Sequence, residues 1–261
     1  MVKKAIKDEF ESNSDFLDSY IEDGVGVIHL KDKVFQIATD LSLKDVLFEK
    51  IRLAGKIPEV HVLLVLNDES ILGEEKYAQF WRDTVEALNG NRQTSRQVNA
   101  LAQYIEMMCG FGKIVVSAVR GSVVGAFLGA ILSTDFRVAS ENTVFSFPHM
   151  QFGMPPQGAL AFLLPRYIGI AKAKSILLRA EPILASQALD LGLVDNVLPN
   201  SGFEKSCIEF ASKMTNLSTD VVAMTKRLFE CSMKELCEYF KLEEELVGLH
   251  KVKFPLDQDC T

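Results

Sequence analysis

The sequence predicts an α/β protein, and three of its features carry that expectation. Two apolar segments of strand length, Gly24 to Leu30 (GVGVIHL) and Val60 to Leu66 (VHVLLVL), flank a stretch of helical periodicity. A second strand-helix-strand set follows: Lys113 to Val119 (KIVVSAV), a glycine-spaced apolar helix from about Val124 to Ser133, then Phe136 to Ala139. Beyond Pro148 the strand signals fade and helical ones take over, a layout unlike an evenly alternating barrel.

Each element has a local cause. Met1 to Glu11 is charged and reads as a loose or helical lead-in. Asp23-Gly24 is a turn signal ahead of the first strand. Leu43, Val46, Leu47, Ile51 and Leu53 recur at mainly helical spacing, with Thr39 or Asp40 placed to cap that helix. Glu75 to Leu88 and Arg96 to Cys109 are amphipathic helices parted by the polar break Asn89-Gly90-Asn91. In the last third, Ala159 to Leu164, Ala171 to Leu178, Ser186 to Leu191, Phe203 to Met214, Thr219 to Cys231 and Met233 to Leu249 are helix-like.

Composition narrows the function. With 261 residues, 48% of them hydrophobic and 24% charged, the chain can bury a large core, and no linker or low-complexity run divides it. One structural domain is expected, with residues 1–200 as its core and 201–261 as a helical region. A net charge of −7 provides no basic field for a phosphate backbone, so nucleic acid is not an expected partner. Five cysteines without a CxxC pair read as thiols in a reducing cytoplasm, and the N-terminus shows no signal-peptide pattern. Gly121, Gly125 and Gly129 form a double GxxxG, but the apolar run ends by Asp135, short of the roughly 20 residues that span a bilayer. No membrane is expected; the glycines predict close packing of a buried helix.

Four pieces in order, KIVVSAVRG (Lys113 to Gly121), TDFRVASENTVFSFP (Thr134 to Pro148), LPRYIGIAKAKSILL (Leu164 to Leu178) and SQALDLGLVDNVLP (Ser186 to Pro199), resemble the crotonase (enoyl-CoA hydratase/isomerase) superfamily. The resemblance extends over residues 20 to 250, weakly in the first hundred. It implies a crotonase-like spiral of ββα units with a C-terminal helical trimerisation region. It also implies an acyl-CoA or other acyl thioester as substrate, coenzyme A entering as part of that substrate with no separate cofactor, and a homotrimer or dimer of trimers.

In that family two backbone amides hold the thioester oxygen as it becomes anionic. The physics is that of a helix N-terminus, where unpaired donors and a favourable dipole meet developing negative charge. Carried over by position, one donor falls at Gly125-Ala126 and the other at Gly73-Glu74. Phe127 stands where the family has a small residue. The family's hydratases also use two glutamates, whose positions hold Gly129 and His149 here. Glycine transfers no proton, so paired-glutamate hydration is disfavoured, and His149, an imidazole, becomes the candidate acid or base. Gln157 and Gly158 occupy the family's later glycine loop, where glutamine orients an oxygen without titrating.

Other candidates have simpler readings. His29 and His61 lie in strands and read as structural; His250 matches only a position where some family decarboxylases carry a histidine. Asp68, Glu69, Glu74 and Glu75 form an acidic turn, Cys109 a helix-end thiol, and Arg120, Arg166, Lys172 and Lys174 a set of cations in reach of phosphates or solvent. No histidine pair has metal-ligand spacing. Two functions fit: a lyase or isomerase stabilising a thioester enolate by unusual hydration, isomerisation or decarboxylation, and a non-catalytic crotonase-fold protein for ligand binding or assembly.

Overall fold

The computed structural model describes residues 2–38, 40–87, 91–229 and 233–249. Helix α1 (Val2–Phe10) leads into strands β1 (Ser12–Asn13), β2 (Leu17–Glu22) and β3 (Val25–Leu30), paired antiparallel. Asp23 and Gly24 turn β2 into β3 with φ of 48° and 77°, the left-handed pair that a two-residue hairpin demands. Helix α2 (Leu41–Lys56) then crosses to β4 (Val62–Asn67), which pairs parallel to β3. Asp40 caps α2, its carboxylate accepting the Ser42 and Leu43 amides.

Helices α3 (Glu74–Ala87) and α4 (Asn91–Cys109) lead to β5 (Ile114–Val119), then to β6 (Ser122–Val124) and α5 (Gly125–Leu132). Next come β7 (Phe136–Ser140) and β8 (Val144–Ser146), followed by α6 (Leu160–Ile168), α7 (Ile170–Arg179), β9 (Ile183–Leu184), α8 (Ala185–Asp190) and β10 (Asn196–Leu198). Helices α9 (Phe203–Ser212), α10 (Thr219–Phe229) and α11 (Met233–Leu249) close the described chain.

A seven-stranded sheet runs β1-β2-β3-β4-β5-β7-β10, parallel from β3 onward, beside a three-stranded sheet β6-β8-β9. The parallel strands are buried on both faces, which is why β4 reads as unbroken VLLVLN rather than alternating. Leu63, Val65, Val115 and Val119 join the main core with α2, α4 and α5; Leu64, Leu66, Val116 and Ala118 pack against α9. The α/β class and the crotonase-like architecture are what the sequence predicts.

Differences are local. Helix α4 begins at Asn91, earlier than the predicted Arg96; Asn89 and Gly90 of the predicted break lie outside the described residues, as does His250. Strands β6, β8, β9 and β10 are two or three residues long, too short to show a period of two. Cys109, Cys207 and Cys237 stand as thiols, and among the described residues no helix is long and apolar enough to cross a membrane.

Candidate active site

Helix α5 is the centre of the site. Its N-cap, Val124, supplies no side-chain bond, so the first amides of the helix depend on other partners. Val124 N–H donates to Leu72 O (2.8 Å), pinning the helix entry to the segment after β4. Ala126 N–H, the second amide of α5, has no hydrogen-bond partner among the described residues.

Two cavities meet at Ala126. One is an apolar chamber of about 100 Å³ walled by the 34–38 turn, α2, α4, α5 and the ends of β4 and β5, with Phe127, Tyr104 and Asn67 among its lining residues. The other is a niche of about 10 Å³ bounded by Tyr77, Gly125, Ala126, His149, Gln157 and Leu160. The chamber is smaller than the roughly 150 Å³ cavity that holds benzene, so it suits a short chain. The niche has the room of one water-sized group.

The positions carried over for the two glutamates have different fates. At Gly129 a Cβ would stand 1.8 Å from Gly158 O, so the loop leading into α6 presses its backbone where a side chain would begin. Gly158 is just as confined: with φ of +73°, its own Cβ would meet Ala126 O at 2.2 Å. No side chain fits at either point. His149 is buried in the niche wall, 6% exposed. Its Nε2 lies 3.1 Å from Leu177 O; a carbonyl only accepts, so Nε2 carries the proton and the neutral ring offers its Nδ1 lone pair. Burial lowers the His149 pKa below the usual imidazole value, partly opposed by the Leu177 bond, so the base form prevails near neutrality.

Gln157 lies beside His149, 3% exposed, with its Nε2 3.8 Å from Met154 Sδ. Gly73 and Glu74 line neither cavity. Gly73 N–H donates to Ser70 O (3.1 Å), and Glu74 is exposed on the first turn of α3. Phe127 is half-buried and packs edge-on to Phe35 (5.1 Å between centroids), beside an aromatic cluster of Tyr77, Phe80, Trp81 and Phe152.

Two residues escaped the sequence reading. Glu243, on α11, accepts Gly158 N–H (2.9 Å) and Ala159 N–H (3.0 Å), taking the place of a cap for α6. A peptide's C=O and N–H point opposite ways, so this carboxylate grips the loop from the side away from α5 and holds Gly158 O against Gly129. Burial pushes Glu243 up to about 7, against the pull of its two amide bonds. Its signal was a carboxylate within the apolar stripe Leu236, Phe240, Val247. The second is Tyr77, one turn into α3, which left no sequence signal beyond a helical core pattern.

The acidic turn and the cations fall elsewhere. His29 Nε2 lies 2.9 Å from Asp68 Oδ1 and Nδ1 3.4 Å from Glu204 Oε1; Tyr20 Oη donates to Glu204 (2.6 Å), and Arg120 Nη2 to Asp68 (3.0 Å). Burial pulls His29 down, but Glu204 and Asp68 outweigh it and raise its pKa; the His29 bond, foremost, holds Glu204 down at about 2. Glu69 accepts from Asn142, and Arg166 pairs with Glu235 over the Phe162 ring. Lys172 and Lys174 are exposed on α7, and no cluster of metal-ligating side chains occurs among the described residues.

The enoyl-CoA hydratase/isomerase family model matches residues 71–251, and the chain belongs to that family. A relative described as a probable enoyl-CoA hydratase of Bacillus subtilis (strain 168) is 33% identical over 194 residues, 69% of this chain and 75% of the relative. The crystal structure of an enoyl-CoA hydratase from Bacillus halodurans superposes with a TM-score of 0.77 at 18% identity, covering 90% of this chain and 94% of that one. An enoyl-CoA hydratase/isomerase structure from Xanthobacter autotrophicus Py2 gives 0.75 at 19% identity, covering 91% and 87%. At those identities the structures speak for the fold.

Proposed function

We propose that this chain binds an acyl-CoA or related acyl thioester and stabilises its enolate, with Ala126 N–H on the thioester oxygen and His149 as the acid or base. The observation that carries this reading is the position of Ala126. Its unpartnered amide borders both the apolar chamber, fit for a short acyl chain, and the niche that holds His149. Neutral His149 would take a proton from the carbon beside the thioester through Nδ1. The C–H electron pair moves into the C–C bond, and the carbonyl oxygen becomes the anion that Ala126 meets. In a β,γ-unsaturated thioester the pair extends to the γ-carbon, and returning the proton there is isomerisation; loss of an α-carboxylate as CO2, its bonding pair staying behind as the enolate, is decarboxylation. Paired-glutamate hydration has no group at position 129 to carry it.

Exchange of the thioester's α-hydrogens in D2O, followed by NMR over a panel of short acyl-CoAs, tests the reading without assuming a product. His149→Ala is expected to slow exchange by roughly 10²- to 10⁴-fold while thioester binding persists. Unchanged exchange would remove His149 from the mechanism. One observation favours a second reading, a non-catalytic binding or assembly role: the Phe35–Phe127 ring pair stands at the chamber wall where the family has a small residue. If no thioester raises the melting temperature, that reading prevails; a ligand at a hundred times its Kd should stabilise by about 2.7 kcal/mol.

We also propose self-association through the C-terminal helices, as a homotrimer or dimer of trimers. Helix α10 buries none of its residues and presents Val221, Met224, Leu228 and Phe229 to solvent. Sedimentation of the intact chain against Leu228→Glu tests this. We propose a cytoplasmic setting, a reading that the thiols Cys109, Cys207 and Cys237 support.

A further inference from the structure

Of the positions expected to give the other amide of the oxyanion site, Gly73 N–H already donates to Ser70 O, and neither Gly73 nor Glu74 lines the niche. The niche instead contains a second kind of donor. Tyr77 is 3% exposed and lines the niche together with Ala126, His149 and Gln157, and its hydroxyl donates to no described residue. Its ring is fixed edge-on between Trp81 (6.1 Å, 81°) and Phe152 (5.5 Å, 89°), so the hydroxyl has little freedom to seek a partner elsewhere. The backbone is fixed as well, Tyr77 N–H donating to Gly73 O at the start of α3. Trp81, packed against the Tyr77 ring, offers only its indole N–H, which makes no hydrogen bond with a described residue. Indole nitrogen donates only, so the phenol's own proton must point away from it. Burial raises the Tyr77 pKa, which keeps that proton in place at any ordinary pH.

We infer that Tyr77 is a catalytic residue: its hydroxyl donates to the thioester oxygen beside Ala126 N–H, as the second donor of the oxyanion site. The niche, with room for about one oxygen-sized group, seats that oxygen, while the acyl chain occupies the apolar chamber on the other side of Ala126. A phenol in this place differs from an amide in a testable way, because a single atom can be removed while the ring contacts remain.

This inference rests on the thioester reading, and the experiment separates the two. [1-¹³C]Butyryl-CoA is bound to wild type and to Tyr77→Phe, and the thioester carbonyl stretch is read by isotope-edited infrared difference. Wild type should show a carbonyl shifted to lower frequency. In Tyr77→Phe the shift should shrink, α-hydrogen exchange should slow by about 10²- to 10³-fold, and the Kd should change less than the exchange rate. An unchanged melting temperature would show that the aromatic cluster is intact. Identical carbonyl frequency and exchange rate in the two proteins would overturn the role of Tyr77 while leaving thioester binding standing. Absence of butyryl-CoA binding to wild type, together with absence of binding by the other short acyl-CoAs, would sink the thioester reading itself.

Discussion

The niche around His149 and the ion cluster around His29 treat the same side chain in opposite ways. His149 meets uncharged neighbours and one carbonyl, and burial lowers its pKa; His29 lies between two carboxylates that outweigh its burial and raise it. The first environment is made by shape and burial, the second by charge. Stability should register both signs. For His149 the unfolded chain takes up a proton first, so stability is lost as pH falls from about 6.5 through the lowered folded value. For His29 the contribution is complete below about 6.5 and is lost as pH rises through the raised folded value.

If shape governs the niche, volume changes there should have the largest consequence. Gly129→Ala places a Cβ into Gly158 O and is expected to cost about 4 kcal/mol in urea denaturation. A glutamate placed at position 129 should therefore yield a destabilised protein. A Gly129→Ala midpoint close to wild type would mean that the helix-loop contact yields easily.

Removing the clamp on the loop comes next. Glu243→Leu leaves the buried Gly158 and Ala159 amides without acceptors, at a cost of about 2–3 kcal/mol. Glu243→Gln keeps one acceptor and should cost about 1 kcal/mol. If the leucine variant were the more stable of the two, burial of the carboxylate would matter more than its amide bonds.

The charged cluster should respond more gently, since Asp68 and Glu204 are more than a third exposed. Glu204→Gln is expected to cost about 1 kcal/mol near pH 6 and to flatten the loss of stability above pH 6.5 that His29 produces. Denaturation series at several pH values measure both. The smallest effect is that of salt: 1 M NaCl should weaken the His29 cluster by a few tenths of a kcal/mol and leave the His149 pKa, read by NMR, in place. A His149 pKa that follows ionic strength would assign charge a part in the niche.

Much of the fold was legible because its signals are periodic or local. The runs that became β4 and β5 betray strands buried on both faces, Asp23-Gly24 betrays a hairpin, and Asp40 betrays the start of α2. The glycines at 125 and 129 pointed to close packing, and both contact neighbours too tightly for a Cβ. The strands of two or three residues were not legible, because they exist only through their neighbours.

Composition and motif order alone determined the α/β class, the family, and the helix whose head carries Ala126. Those follow from residue identity and from spacing along the chain. Tertiary structure alone decided that Gly158 fills the space beside Gly129, that Glu243 reaches across 85 positions to hold that loop, and that Tyr77 opens onto the same niche as His149. The reason is physical: a hydrogen bond or a sealed contact between distant segments depends on how whole elements pack, and packing leaves no period in the sequence that produces it.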